Sequence, residues 1–166
     1  MGFLLWLKDC VVNLFHLRSK SVKVPEWSVT KPKRKPFGYF LGIDLYEVSA
    51  GQCDDMEKAY RFLEALVIEL GMTPMAPPYV IHAPAKFDAE GNRVEVFADK
   101  AGISAWQPLI ESGIQIHTLE PKRFISIDIY TCGNLDREKV LNFITLFYTC
   151  KRIETHYLER GIDYYD

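Results

Sequence analysis

Two alternating runs, Ile114 to Thr118 and Phe124 to Thr131, are separated by only the five residues Leu119 to Arg123. A parallel pair needs a crossover of a dozen or more residues, so these two strands must lie antiparallel. Their alternation also sorts the side chains. Ile114 and Ile116 share a face with Ile125, Ile127 and Ile129. Gln115 and His117 point the other way, as do Phe124, Ser126, Asp128, Tyr130 and, if the strand persists, Cys132. One face is an apolar floor. The other is polar, and is either solvated or a site.

The rest of the chain from residue 37 supplies partners for this pair. Tyr39 to Tyr46 is rich in β-formers and reads as a strand. Asp54 and Asp55 are placed to cap a helix with apolar positions Met56, Tyr60, Leu63, Val67 and Leu70, ending at Gly71. Pro74, Pro77 and Pro78 mark a loop before a short strand, Tyr79 to His82. The run Asp88 to Asn92 reads as a hairpin tip leading into Val94 to Phe97. Ser104 to Ile110 is a further strand, which Pro108 restricts to an edge or a bulge. Asn134 or Asp136 caps a second helix with Val140, Phe143, Ile144 and Phe147 on its buried side, and Arg152 to Leu158 is a last strand. Strands interrupted by two one-faced helices predict an α+β fold. The expected form is a two-layer sandwich, with a mainly antiparallel sheet and both helices on one face.

Residues 1–36 read separately from the domain at 37–166. The first 17 are apolar but too short to span a bilayer, with Asp9, Asn13 and His16 forming a narrow polar stripe on an amphipathic helix. Residues 18 to 36 hold seven Lys/Arg against one Glu, so this linker carries +6 within a chain of net charge −2. An apolar helix followed by cations allows weak contact with an anionic membrane surface. Packing on the domain or on a partner subunit explains the same pattern. The net charge makes no case for nucleic acid. The four cysteines, Cys10, Cys53, Cys132 and Cys150, show neither a CxxC pair nor dense spacing, so no metal site or disulfide framework is expected. Reduced thiols in a cytoplasmic protein are the default reading.

The chemistry-bearing residues cluster in sequence. Glu111-Ser112-Gly113 is followed by His117-Thr118, and then by the strand end Asp128-Ile129-Tyr130-Thr131-Cys132-Gly133. Ser104 lies eight residues before Ser112, His117 five after it, and Cys132 fifteen after His117. Over residues 37 to 160 these motifs and the order of elements resemble the small prokaryotic S-adenosylmethionine decarboxylases. That resemblance implies self-cleavage between Glu111 and Ser112, with Ser112 Oγ attacking the Glu111 carbonyl. Ser104 and His117 would assist, an imidazole being suited to removing the Ser112 α-proton. Ser112 would become a pyruvoyl group, and residues 1–111 and 112–166 would stay together in the shared sheet. The ketone would form a Schiff base with a small-molecule substrate and act as the electron sink. Cys132 would reprotonate the substrate, since an ordinary thiol still holds its proton at neutral pH. The implied product is the aminopropyl donor for spermidine synthesis, and the implied assembly a homodimer of cleaved protomers. No metal is implied.

The pattern departs from the family where substrate is held. Gly113 stands where many relatives have histidine, and Leu119-Glu120-Pro121 displaces an acid by one position. Trp106, Gln107 and Pro108 interrupt an aliphatic strand, and about twenty extra residues precede Ser104. Glu120, Asp128 and Tyr130, with Phe124 and Trp106, supply parts of a pocket either for an adenosyl group or for a basic amino acid. Arginine or ornithine as substrate therefore stays open, and so does a non-catalytic regulatory homologue. A cysteine hydrolase using Cys132 and His117 leaves Glu111, Ser112 and Ser104 unexplained.

Overall fold

The computed structural model describes residues 35–83, 85–87, 89–90, 93–95 and 100–164. The expected N-terminal helix and most of the basic linker lie outside them. Six strands form one antiparallel sheet: β1 (Gly38–Tyr46), β2 (Tyr79–Ala83), β5 (Gly102–Leu109), β6 (Ser112–Leu119), β7 (Phe124–Thr131) and β8 (Arg152–Arg160). Their spatial order is β2-β5-β6-β7-β1-β8. The hairpin of β3 (Ala85–Phe87) and β4 (Arg93–Glu95) forms a separate two-stranded ribbon. The short β6–β7 connector is a 3-10 turn, Glu120–Lys122, closed by Arg123 in the left-handed region.

Alternation predicted the faces correctly. Ile114, Ile116, Ile125, Ile127 and Ile129 are all 0% exposed, each contributing about 1.5–3 kcal/mol of burial. They join one core with buried residues of helix α1 (Met56–Leu70) and helix α2 (Arg137–Phe147). Asp55 caps α1 by accepting from the Lys58 N–H at 2.8 Å, and Gly71 ends it with φ 65°. Asp136 caps α2 through the Lys139 N–H at 3.1 Å. The buried stripe of α1 is rotated from the expected one: Ala59, Phe62, Leu63, Leu66 and Val67 face inward, while Met56 is exposed. Phe62 accounts for the rotation, because its ring meets those of Phe143, Phe147 and Tyr148.

Pro108 also needs a correction. It lies in an internal strand, paired with Gly113 of β6, rather than at a sheet edge or bulge. The last β2 partner of β5 is Trp106, so Pro108 sits beyond the end of the neighbouring strand. There its carbonyl accepts from the Met75 N–H of the α1–β2 loop at 3.0 Å. No ladder bond of β2 is lost by the missing N–H.

Candidate active site

Strands β5 and β6 are joined by a two-residue turn, Ile110-Glu111, so Leu109 faces Ser112 across the hairpin. Two-residue hairpins usually absorb the sheet twist with positive φ inside the turn. Here Glu47, Ser112 and Arg123 are the non-glycine residues with positive φ among the described residues, so the turn's two residues are not. The unfavourable angle falls instead on Ser112, at φ 135°. A serine held there stores backbone strain. The strained residue is the one expected to be the nucleophile.

The neighbouring acyl unit is gripped on two sides. The Glu111 carbonyl accepts from the Cys132 backbone N–H at 2.9 Å. Its carboxylate accepts from Thr73 twice, from the backbone N–H at 2.9 Å and from the hydroxyl at 3.1 Å. These hydrogen bonds, the backbone one first, hold the Glu111 carboxyl below its ordinary pKa. Cys132 lies just past β7, next to Thr131, which is the register partner of Ser112. Its side chain is exposed, whereas Cys53 and Cys150 are covered and burial raises both thiols, Cys53 to about 11.

Ser112 and Gly113 open onto a cleft of about 340 Å³ on the polar face of the sheet, within the size range of small-molecule sites. Trp106, Phe40 and Tyr130 supply aromatic walls; Gln115, Asp128 and Arg160 supply polar groups. A Cβ at residue 113 would lie 3.2 Å from the indole nitrogen of Trp106, so the indole closes over the bare backbone of Gly113. Asp128 has its carboxyl raised, first by burial and then by the nearby charge of Asp44. The Arg160 guanidinium lies 4.6 Å from the Tyr130 ring centre, a cation–π distance. Grooves of about 430 and 470 Å³ on the helical side are lined by none of the candidate residues.

Ser104 and His117 do form a pair, with Oγ 3.1 Å from Nδ1. They are register partners on β5 and β6. Five residues of strand separate them from Ser112, however, about 16 Å at roughly 3.3 Å per residue. The expected single constellation is therefore two clusters: Glu111, Ser112 and Cys132 at one end of the hairpin, Ser104 and His117 toward the other. Asp128 and Tyr130 belong to the Ser112 cleft. Glu120 sits beyond the far end of β6, outside it. Thr73, Phe40 and Arg160 were not anticipated. Alternation along β1 places Phe40 beside the open face, but nothing near Thr73 in sequence points to Glu111.

The strained serine turn thus lies on the open face of a two-helix antiparallel sheet. The family model for S-adenosylmethionine decarboxylase matches residues 40–161, and the chain belongs to that family. It is 28% identical over 129 residues, 77% of this chain and 84% of the relative, to an S-adenosylmethionine decarboxylase proenzyme of Aquifex aeolicus. The crystal structure of the adenosylmethionine decarboxylase from that organism superposes with a TM-score of 0.60 at 26% identity, covering 77% of this chain and 93% of the other. An arginine decarboxylase proenzyme of Pyrobaculum arsenaticum is 35% identical over a shorter stretch of 64 residues, 38% of this chain and 48% of the relative.

Proposed function

We propose that the chain cuts itself between Glu111 and Ser112 and, as a homodimer, decarboxylates S-adenosylmethionine to the aminopropyl donor for spermidine synthesis. The observation that carries this reading is the strained Ser112 next to a carbonyl already held by the Cys132 N–H. That N–H is aimed where negative charge develops on attack, as an oxyanion donor must be. These residues fit a pyruvoyl group at position 112, which would supply the electron sink for loss of carbon dioxide. Trp106, Phe40 and Tyr130 offer flat surfaces for a purine, and Asp128 a carboxylate for polar substrate groups. Cys132, whose exposed thiol hangs from the backbone that holds the Glu111 carbonyl, is the residue we assign to return a proton to the substrate α-carbon.

The homodimer is proposed because of the separation within one chain. Within one chain, Ser104 and His117 are about 16 Å from Ser112 along β6. Two sheets packed with their open faces together and their strands reversed would bring the pair from a second copy over the strained turn. The cleft's open side and the exposed Trp106 and Tyr79 suit such a face. Purified protein should run as fragments of about 13 and about 6 kDa, in proportion to residue number within 19.2 kDa, and the smaller should react with carbonyl-trapping reagents. Labelled carbon dioxide should come from S-adenosylmethionine rather than from arginine or ornithine. In a co-expressed mixture, chains with Ser112→Ala should restore cleavage to chains with His117→Ala. An uncut 19.2 kDa chain would refute self-processing. Lack of complementation would refute the dimer.

A further inference from the structure

We infer that Thr73, in the loop after α1, is the positioning residue that fixes the acyl half of the bond between Glu111 and Ser112 for self-cleavage. The inference rests on the reading above and extends it to a residue 38 positions away in sequence. Thr73 meets the turn three times. Its N–H and hydroxyl hold the two oxygens of the Glu111 carboxylate. Its own carbonyl accepts from the Ile110 N–H at 2.9 Å. Two residues on, the Met75 N–H ties the same loop to the Pro108 carbonyl at 3.0 Å, and Pro74 bridges to Leu109. The two-residue turn is therefore bound on its outer side by one short loop.

This geometry matters because the step is an acyl shift between adjacent residues. The Ser112 oxygen bonds to the Glu111 carbonyl carbon, the C–N bond breaks, and the hydroxyl proton passes to the released amine. The resulting ester then loses the Ser112 α-proton to a base, the part proposed for His117, as the Cβ–Oγ bond breaks. The main-chain acyl group of Glu111 leaves as a C-terminal α-carboxylate, and residue 112 keeps a carbon–carbon double bond. In the first step the carbonyl carbon must stay near the oxygen while the nitrogen swings away. Cys132 holds the carbonyl oxygen, but one hydrogen bond leaves rotation about it unrestrained. The two-point grip of Thr73 on the same residue's side chain removes that rotation. A near-attack geometry kept by remote contacts is the familiar source of effective concentration.

The test is the rate at which newly translated precursor converts to fragments, followed by denaturing gel after a cell-free pulse. Thr73→Val keeps the shape and the backbone N–H but removes the hydroxyl, and should slow cleavage about tenfold, as expected for one hydrogen bond to a charged group. Thr73→Ser should recover the rate to within about twofold. Glu111→Gln should also slow cleavage, and the double variant Thr73→Val with Glu111→Gln should be no slower than the slower single, because both act through one contact. The same substitutions on a Ser112→Ala background, compared by thermal unfolding, separate slow chemistry from misfolding. Wild-type speed in Thr73→Val, a serine variant as slow as the valine one, or multiplicative losses would overturn the inference. An uncut wild-type precursor would instead overturn the proposed function together with it.

Discussion

The strain at Ser112 can be measured without any turnover. Replacing Ser112 by alanine or by glycine removes the hydroxyl in both cases, so both proteins stay uncut and can be compared in the same covalent state. At φ 135° an alanine keeps the steric cost of a side chain in a region that favours glycine, of order 1–3 kcal/mol. Glycine is released from that cost but loses about 0.5–1 kcal/mol through its greater freedom in the unfolded chain. The difference leaves Ser112→Gly more stable than Ser112→Ala by about 1 kcal/mol. For a domain of this size that is a rise of about 2–5 °C in unfolding temperature. Thermal unfolding by circular dichroism, backed by urea titration, reads it directly. At an ordinary extended position the order reverses, since glycine weakens a strand. Finding alanine equal to or above glycine would therefore show that the turn is relaxed and that the activation of the peptide bond must come from elsewhere.

Other outcomes follow from the same geometry. Cys132→Ala keeps the backbone N–H on the Glu111 carbonyl, so fragments should still form on a gel while decarboxylation falls by about 10²-fold or more. Trp106→Ala should leave cleavage intact and raise KM for S-adenosylmethionine about tenfold, the loss of one stacking surface. Burial and the Asp44 charge raise the Asp128 carboxyl above 3.8, so its ionised form costs folding stability at neutral pH. Asp128→Asn should therefore stabilise at pH 7, with the gain shrinking as pH falls through the raised pKa and gone below the unfolded value. Urea midpoints at pH 7 and pH 4 would check it.

Much of the scaffold was readable because it obeys local rules. The five-residue connector forced an antiparallel pair, alternation sorted five isoleucines to the core, and Asp55, Gly71 and Asp136 marked helix ends by capping chemistry. The site was readable as residue types but not as an arrangement. Ser104 and His117 lie at equal chain distances from the turn as seen from Leu109 and Ser112, so a hairpin pairs them with each other. That symmetry carries them away from the turn by five residues of strand, whereas spacing along the chain suggested one cluster. Pro108 misled because the rule that excludes proline from internal strands assumes a neighbour that runs the whole length. Thr73 left no trace, since its hydrogen bonds to Glu111 cross from one loop to another. Phe62 turned α1 by recruiting aromatic neighbours from α2, which helix periodicity alone does not reveal.

The order in which the strands lie decides what a broken backbone would mean here. With the bond at 111–112 gone, β2, β5 and β1 belong to one piece and β6, β7 and β8 to the other. Yet β1 is laced between β7 and β8, and β6 borders β5. Three ladders of hydrogen bonds then run from piece to piece, and neither half owns a complete layer. Such halves resemble interlocked fingers rather than docked partners. Dilution or gel filtration in native buffer should never part them, and denaturant should release both at a single midpoint. Mixing the released pieces would have to thread one strand back between two others before any sheet exists, so regain of structure should be slow and second order in concentration.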